Sequence, residues 1–222
     1  MTQILRKEPH DVAARLQELG LTIAELQEVG RIAYVHKGDC SPLSPPTFPG
    51  TVAWGQAVIT LREIKLPHGW RKKDPGNFSM TINDEPSIYI VVASGDQFAG
   101  ITYGKTPTTK TPKGYKTEQA VNATRQIAMD LGTEDAAIVE STKCTELYTH
   151  SAWFFLINIQ ENSVMMEISR PSEIIKGKIT SWEERIIIPT LSMESESDKD
   201  ANDGDNGGFN PDIDINIQPL GS

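Results

Sequence analysis

One run of residues limits what this chain can become. From Ser87 to Ser94 the sequence reads SIYIVVAS, closed by Pro86 on one side and Gly95 on the other. A short apolar run rich in β-branched and aromatic residues, bounded by turn formers, is a strand. Side chains alternate along a strand, so Ile88, Ile90 and Val92 share one face and Tyr89, Val91 and Ala93 the other. Both sets are apolar, and both faces therefore need cover. Upstream, Asp74-Pro75-Gly76-Asn77 and Asn83-Asp84-Glu85-Pro86 supply preset or positive φ and Asx turns. Residues 70–94 are thus expected to form a three-stranded meander.

Before it, residues 9–19 and 23–36 carry Leu16, Leu19, Leu26, Val29, Ile32 and Ala33 at three- and four-residue steps, which predicts a helix pair. Gly20 suits the C′ position of the first helix. Thr22 and Glu25 fit a capping box for the second. The spacing resembles a helix-turn-helix unit. The second helix, however, presents Glu25, Gln27, Glu28 and Arg31, where a major-groove reader needs basic and amide groups. Packing is the reading for this pair.

Residues 37–50 hold four prolines and are expected to connect rather than fold. A helix over 51–64 places Trp54, Val58 and Leu61 on one face. After the meander, residues 95–116 form a long loop rich in Gly, Pro, Thr and Lys. Thr117 is placed to cap a helix over 118–131 that buries Val121, Ile127 and Leu131 and stops at Gly132. Strands are expected near 153–159, 164–169 and 184–188, the last stopped by Pro189. An acidic, disordered tail follows. The alternation Asp212-Ile213-Asp214-Ile215-Asn216-Ile217 predicts a returning edge strand near 212–218. The fold class is α+β: the helix pair (1–36), the connector (37–50), a core (51–190) of a mostly antiparallel sheet with helices 51–64 and 118–131 packed on it, the tail (191–208) and the returning strand (209–222).

At 222 residues the chain can bury a sizeable core. No segment has the ~20 apolar residues of a bilayer span. The start, MTQILRKEPH, has no apolar stretch of the kind a secretory signal carries. Two cysteines, Cys40 and Cys144, argue against a disulfide framework and for a reducing cytoplasm. The net charge of −9 is unevenly spread: residues 194–214 carry eight acids against Lys199, so the rest of the chain is near −2.

Several patterns suggest chemistry and fail on physical grounds. Ala99-Gly100-Ile101-Thr102-Tyr103-Gly104-Lys105-Thr106 matches a relaxed P-loop, but Pro107, Pro112 and Gly114 leave no room for the helix that cradles phosphates. Asp198, Asp200, Asn202, Asp203 and Asp205 resemble a calcium loop without its glycine at position six or glutamate at position twelve. His10, His36, His68 and His150 lack metal-ligand spacing. Nothing visible in the sequence activates Cys144 toward His150 or His68.

The order helix, three strands, helix, strand over 51–159 is similar to the core order of the PD-(D/E)XK nuclease fold. That resemblance is one of topology, and it implies an acid-x-lysine triplet on the third meander strand. Here Glu63-Ile64-Lys65 lies on the preceding helix instead, and Ile88–Ala93 holds neither acid nor lysine. Without converging carboxylates a Mg²⁺ ion has no place from which to activate water. The resemblance therefore implies at most a nuclease-like scaffold without catalysis.

What remains is electrostatic. Arg71, Lys72 and Lys73 mark the first meander turn. Lys105, Lys110, Lys113 and Lys116, with Tyr103 and Tyr115 among them, punctuate the long loop. Such groups suit a phosphate backbone or an acidic protein surface. The expectation is a non-enzymatic, cytoplasmic interaction or regulatory subunit of prokaryotic type, with a protein partner and no cofactor or metal. The alternative is a nucleic-acid-binding protein that uses the basic loop 105–116.

Overall fold

Strand β4 (Ile88–Ser94) divides the molecule into two cores. The computed structural model describes residues 3–111, 114–128 and 145–193, and in it six of the seven β4 residues are buried. Ile88, Ile90 and Val92 pack with Leu16, Leu26, Val29 and Leu61 on one side. Tyr89, Val91 and Ala93 pack with Phe78, Val121, Phe154 and Trp182 on the other. The alternation read from the sequence is the alternation found.

Around β4 runs a seven-stranded sheet in the order β1-β7-β6-β5-β4-β3-β2. The strands are β1 (Ile4–Arg6), β2 (Arg71–Lys73), β3 (Met80–Asn83), β5 (Ser151–Ile159), β6 (Ser163–Ile175) and β7 (Lys178–Ser192). The sheet is mixed, not mostly antiparallel as expected. β4 and β5 run parallel from Ile88↔Ser151 to Ser94↔Ile157, because the chain between them makes a long crossover through a helix. β1, which the sequence reading missed, adds a second parallel pair on β7, Ile4↔Glu184 to Arg6↔Ile186.

Helices α1 (Pro9–Glu18), α2 (Ile23–Gly38) and α3 (Phe48–Lys65) cover the first face. The α1–α2 corner is built as the sequence predicts. Gly20 takes φ +71, and the Thr22 and Glu25 side chains each receive the other's backbone amide, at 3.2 and 2.9 Å. α3 starts at Phe48, inside the expected connector, because Pro49 falls in its first turn, where a missing N–H costs nothing.

The second face holds α4 (Tyr115–Ala128) and the one-turn helix α5 (Glu146–Thr149). Three expectations need correction here. α4 begins at Tyr115, before the proposed Thr117 cap. It buries Val121 as expected, but Ile127 is 41% exposed, and Ala120, Ala123 and Thr124 face the sheet instead. β7 runs through Pro189 to Ser192: the β6–β7 register slips between Val164 and Met166, opposite Pro189, and a bulge is where a sheet tolerates proline. The tail expected from 191 starts later, since Leu191 and Ser192 pair with β6; Leu131, Gly132, residues 194–208 and the strand near 212–218 lie outside the described residues.

Candidate functional site

The long loop after β4 is pinned along its length. The Asp96 carboxylate accepts bonds from the Phe98 amide at 3.0 Å and from the Thr108 amide and hydroxyl at 3.0 and 2.9 Å, so one side chain ties both ends. Beneath it Glu167, fully buried, forms an ion pair with Arg185 and accepts the Gly100 amide at 2.8 Å. Arg185 also donates to the Ile101 carbonyl at 2.9 Å, and the Trp182 indole to the Pro107 carbonyl at 2.8 Å. Gly100 takes φ +77 with backbone of the β6 segment 2.5 Å from where a Cβ would lie. The amide that a P-loop would offer to phosphate is thus spent on Glu167, and no helix begins at Lys105-Thr106.

The basic residues at the first meander turn are also committed. Arg71 grips Asp84 with two bonds of 2.8 and 2.7 Å and reaches Glu146 at 3.0 Å. Lys73 holds the same Glu146 at 2.9 and 2.7 Å. His150 Nε2 lies 2.9 Å from Asp84. The Arg71 guanidinium, helped by His150, holds the Asp84 carboxyl well below the usual carboxylate range. Burial pushes Glu146 up, but the bonds from Lys73 and Arg71 outweigh it and bring it down to about 2. Of the three, Lys72 is left as an outward-facing cation on an edge strand.

Thr149 Oγ1 stands 2.8 Å from His150 Nδ1, which gives the outline of a hydroxyl–imidazole–carboxylate relay. That hydroxyl also lies 3.2 Å from the Thr145 carbonyl, the i−4 bond of a helical threonine, and Arg71 chelates the same carboxylate. The cluster ties β2, β3 and α5 together. Glu63 and Lys65 sit on α3, and Lys65 is buried, ion-paired to Glu25 at 3.0 Å and 5.2 Å from the Trp70 ring centroid. Its role is to seat α3 on α2. Among the described residues no group of three or more His, Cys, Asp or Glu could hold a metal ion, and no helix is long and apolar enough to cross a membrane. Cys40 is a free thiol whose Sγ donates to the His36 carbonyl at 3.3 Å. Cys144 lies outside the described residues.

Of the remaining loop residues, Tyr103 and Tyr115 are 78% and 70% exposed. Lys105 and Lys110 are exposed and Lys116 half-buried; Lys113 lies outside the described residues. Lys110 faces Lys37, whose ammonium is pushed down by burial and by that neighbouring charge. Arg71 and Lys73 are thus committed to carboxylates, whereas Lys105 and Lys110 stand exposed on the loop and Lys116 lies against the β2–β3 turn at Gly76.

Two surfaces were not visible in the sequence. The first is a cleft of about 350 Å³ where β3 parts from β4 beyond the Thr81↔Ile90 pair. Its lining includes Trp54 from α3, the β2–β3 turn from Gly76 to Ser79, Val91 and Val92 of β4, Phe154, and the first turn of α4 with Tyr115, Lys116 and Thr117. The second is the outer face of α3. Phe48, Val52, Gly55, Ile59, Arg62 and Leu66 recur at steps of four and three, opposite the buried Ala53, Ala57 and Leu61. Phe48, Ile59 and Leu66 are 48%, 46% and 37% exposed.

Compared with known proteins, the chain matches no family model, no curated protein and no solved structure.

Proposed function

We propose that the chain is a non-enzymatic interaction subunit of the cytoplasm, and that its partner is a protein held on the outer face of α3. One observation carries the reading. α3 is apolar on both sides, and a helix of that kind is ordinarily covered all round. One side lies on the sheet and α2; the other presents Phe48, Ile59 and Leu66 to solvent, with the half-buried Val52 and with Gly55 between them, where nothing comes within 4 Å. Helix-in-groove recognition uses anchors at such spacing.

The test is to place charges on that face. Ile59→Glu and Leu66→Glu point outward and are expected to leave the melting temperature within a few degrees of the parent. They should abolish co-purification of the partner from the native host, or the dimer in sedimentation if the partner is a second copy. Retained association in both variants would sink the proposal.

A second reading, nucleic acid binding by the loop 105–116, is favoured by the exposed Tyr103, Lys105, Lys110 and Tyr115. It is weakened by the internal neutralisation of Arg71 and Lys73. Its support is local, and it leads to the cleft.

A further inference from the structure

We propose that the cleft between β4, the β2–β3 turn and the first turn of α4 binds a single nucleotide unit, its base against the aromatic wall and its phosphate at Lys116. The inference rests on the second reading above for its ligand class, and on the cleft alone for its place. It is independent of the outer face of α3.

Size and wall chemistry select the ligand. About 350 Å³ is the lower end of small-molecule sites, enough for one base and its sugar phosphate. Four aromatic residues line it: Trp54 and Tyr115 are exposed, while Phe78 and Phe154 are buried behind them as apolar backing. The Trp54 ring is fixed in orientation, because its indole N–H donates to the Val92 carbonyl at 3.1 Å. A flat, prepositioned ring is what a base stacks on. Among the described residues the lining holds no carboxylate and one charged residue, Lys116; Asp74, bonded to the lining Ser79, is paired with Arg62. The stem of that lysine lies 3.9 Å from where a Cβ would stand on Gly76, so it packs along the β2–β3 turn that forms the opposite rim. At the first turn of α4 the Thr117 amide already donates to the Gly114 carbonyl at 2.9 Å, so the anion contact falls to the Lys116 ammonium.

The turn opposite is held in an uncommon shape. Gly76 and Asn77 both take left-handed backbone, φ 56 and 62, and for Asn77 that is a conformation few residues accept. Asn77 thereby sits on the cleft rim with amide donors and acceptors, the groups that read a base edge. Outside residues 194–214 the chain is near −2, a charge that gives a long polyanion no general attraction. One nucleotide, free or at the end of a strand, meets the lysine without crossing the rest of the surface.

The molecule carries its own reporter. Of four tryptophans, Trp70, Trp153 and Trp182 are at most 6% exposed and Trp54 is 38% exposed. Tryptophan fluorescence of the full chain would be titrated at low salt with AMP, UMP, adenosine, inorganic phosphate and single-stranded oligo(dT). Saturable quenching by AMP or UMP is expected, with adenosine and phosphate each at least about tenfold weaker, as two-part recognition requires. Lys116→Glu and Tyr115→Ser should each weaken binding about tenfold, with Lys178→Glu on the distant hairpin as the unchanged control. Should Lys116→Glu fail to fold, Lys116→Gln and Tyr115→Ser carry the test. Mononucleotides binding as well as oligo(dT) point to a free nucleotide; oligo(dT) binding more tightly, and still sensitive to Lys116, points to a strand end. No saturable quenching by any probe overturns the proposal, as does quenching unaffected by Lys116→Gln and Tyr115→Ser. Oligo(dT) binding lost only in Lys105→Glu overturns the cleft while leaving the loop reading standing.

Discussion

At the scale of residues, the buried charges are the most informative. Glu167 is fully buried and answers to Arg185, Ser169 and the Gly100 amide. A buried ion pair gives little net stability against an apolar pair of similar size, but removing one partner strands the other. Arg185→Met should therefore cost about 3–5 kcal/mol, and Arg185→Met with Glu167→Met should recover part of it, because the Gly100 amide and the Ile101 carbonyl still lose their partners. Thermal melting of the single and double variants checks this; equal losses in both would show that packing, not the pair, is at stake. None of this was legible from sequence. Arg185 and Glu167 lie 18 positions apart, and Arg71 and Glu146 lie 75 apart. Thr22 and Glu25 were legible because a capping box is written within four consecutive residues.

At the scale of elements, local pattern located strands and helices but not their directions. SIYIVVAS declared a two-faced strand by its own alternation. That β4 meets β5 in parallel follows from the path of the chain between them, which no local period records. Pro189 looked like a stop because the bulge that accommodates it is set by β6. The loop 95–111 is an element in its own right. Its ties run through Gly100, where a methyl group would meet β6 backbone nitrogen at 2.5 Å in a conformation that already disfavours a side chain. Gly100→Ala should free the loop without unfolding the sheet. Limited proteolysis should then cut within 95–111 at a protease concentration that spares the parent, and equal resistance would show that the loop accommodates a side chain there.

At the scale of the whole molecule, acid should loosen the end of the sheet where β2, β3 and α5 meet. Glu146 sits at about 2 in the fold against about 4.5 for the free side chain. A lowered carboxylate contributes stability that is complete above the unfolded value and is lost as pH falls through the folded one. Melting temperature should hold from neutral pH down to about 5 and then fall by roughly 5 °C or more towards pH 2. Glu146→Gln should make that acid limb shallower, and a limb of unchanged slope would assign the loss to other carboxylates.

The parallel seating of β1 on β7 has a consequence in time. Ile4–Arg6 pairs with Glu184–Ile186, and Arg6 and Arg15 both bond the same Glu184. At roughly 5–20 residues per second a ribosome needs about 10–40 s to reach that point. Through that interval α1 and α2 are complete while much of the sheet they cover does not yet exist. Leu16, Leu26 and Val29 are then open to whatever meets a nascent chain. That pairing joins the first and last strands of the described fold only once residues 184–186 have been made.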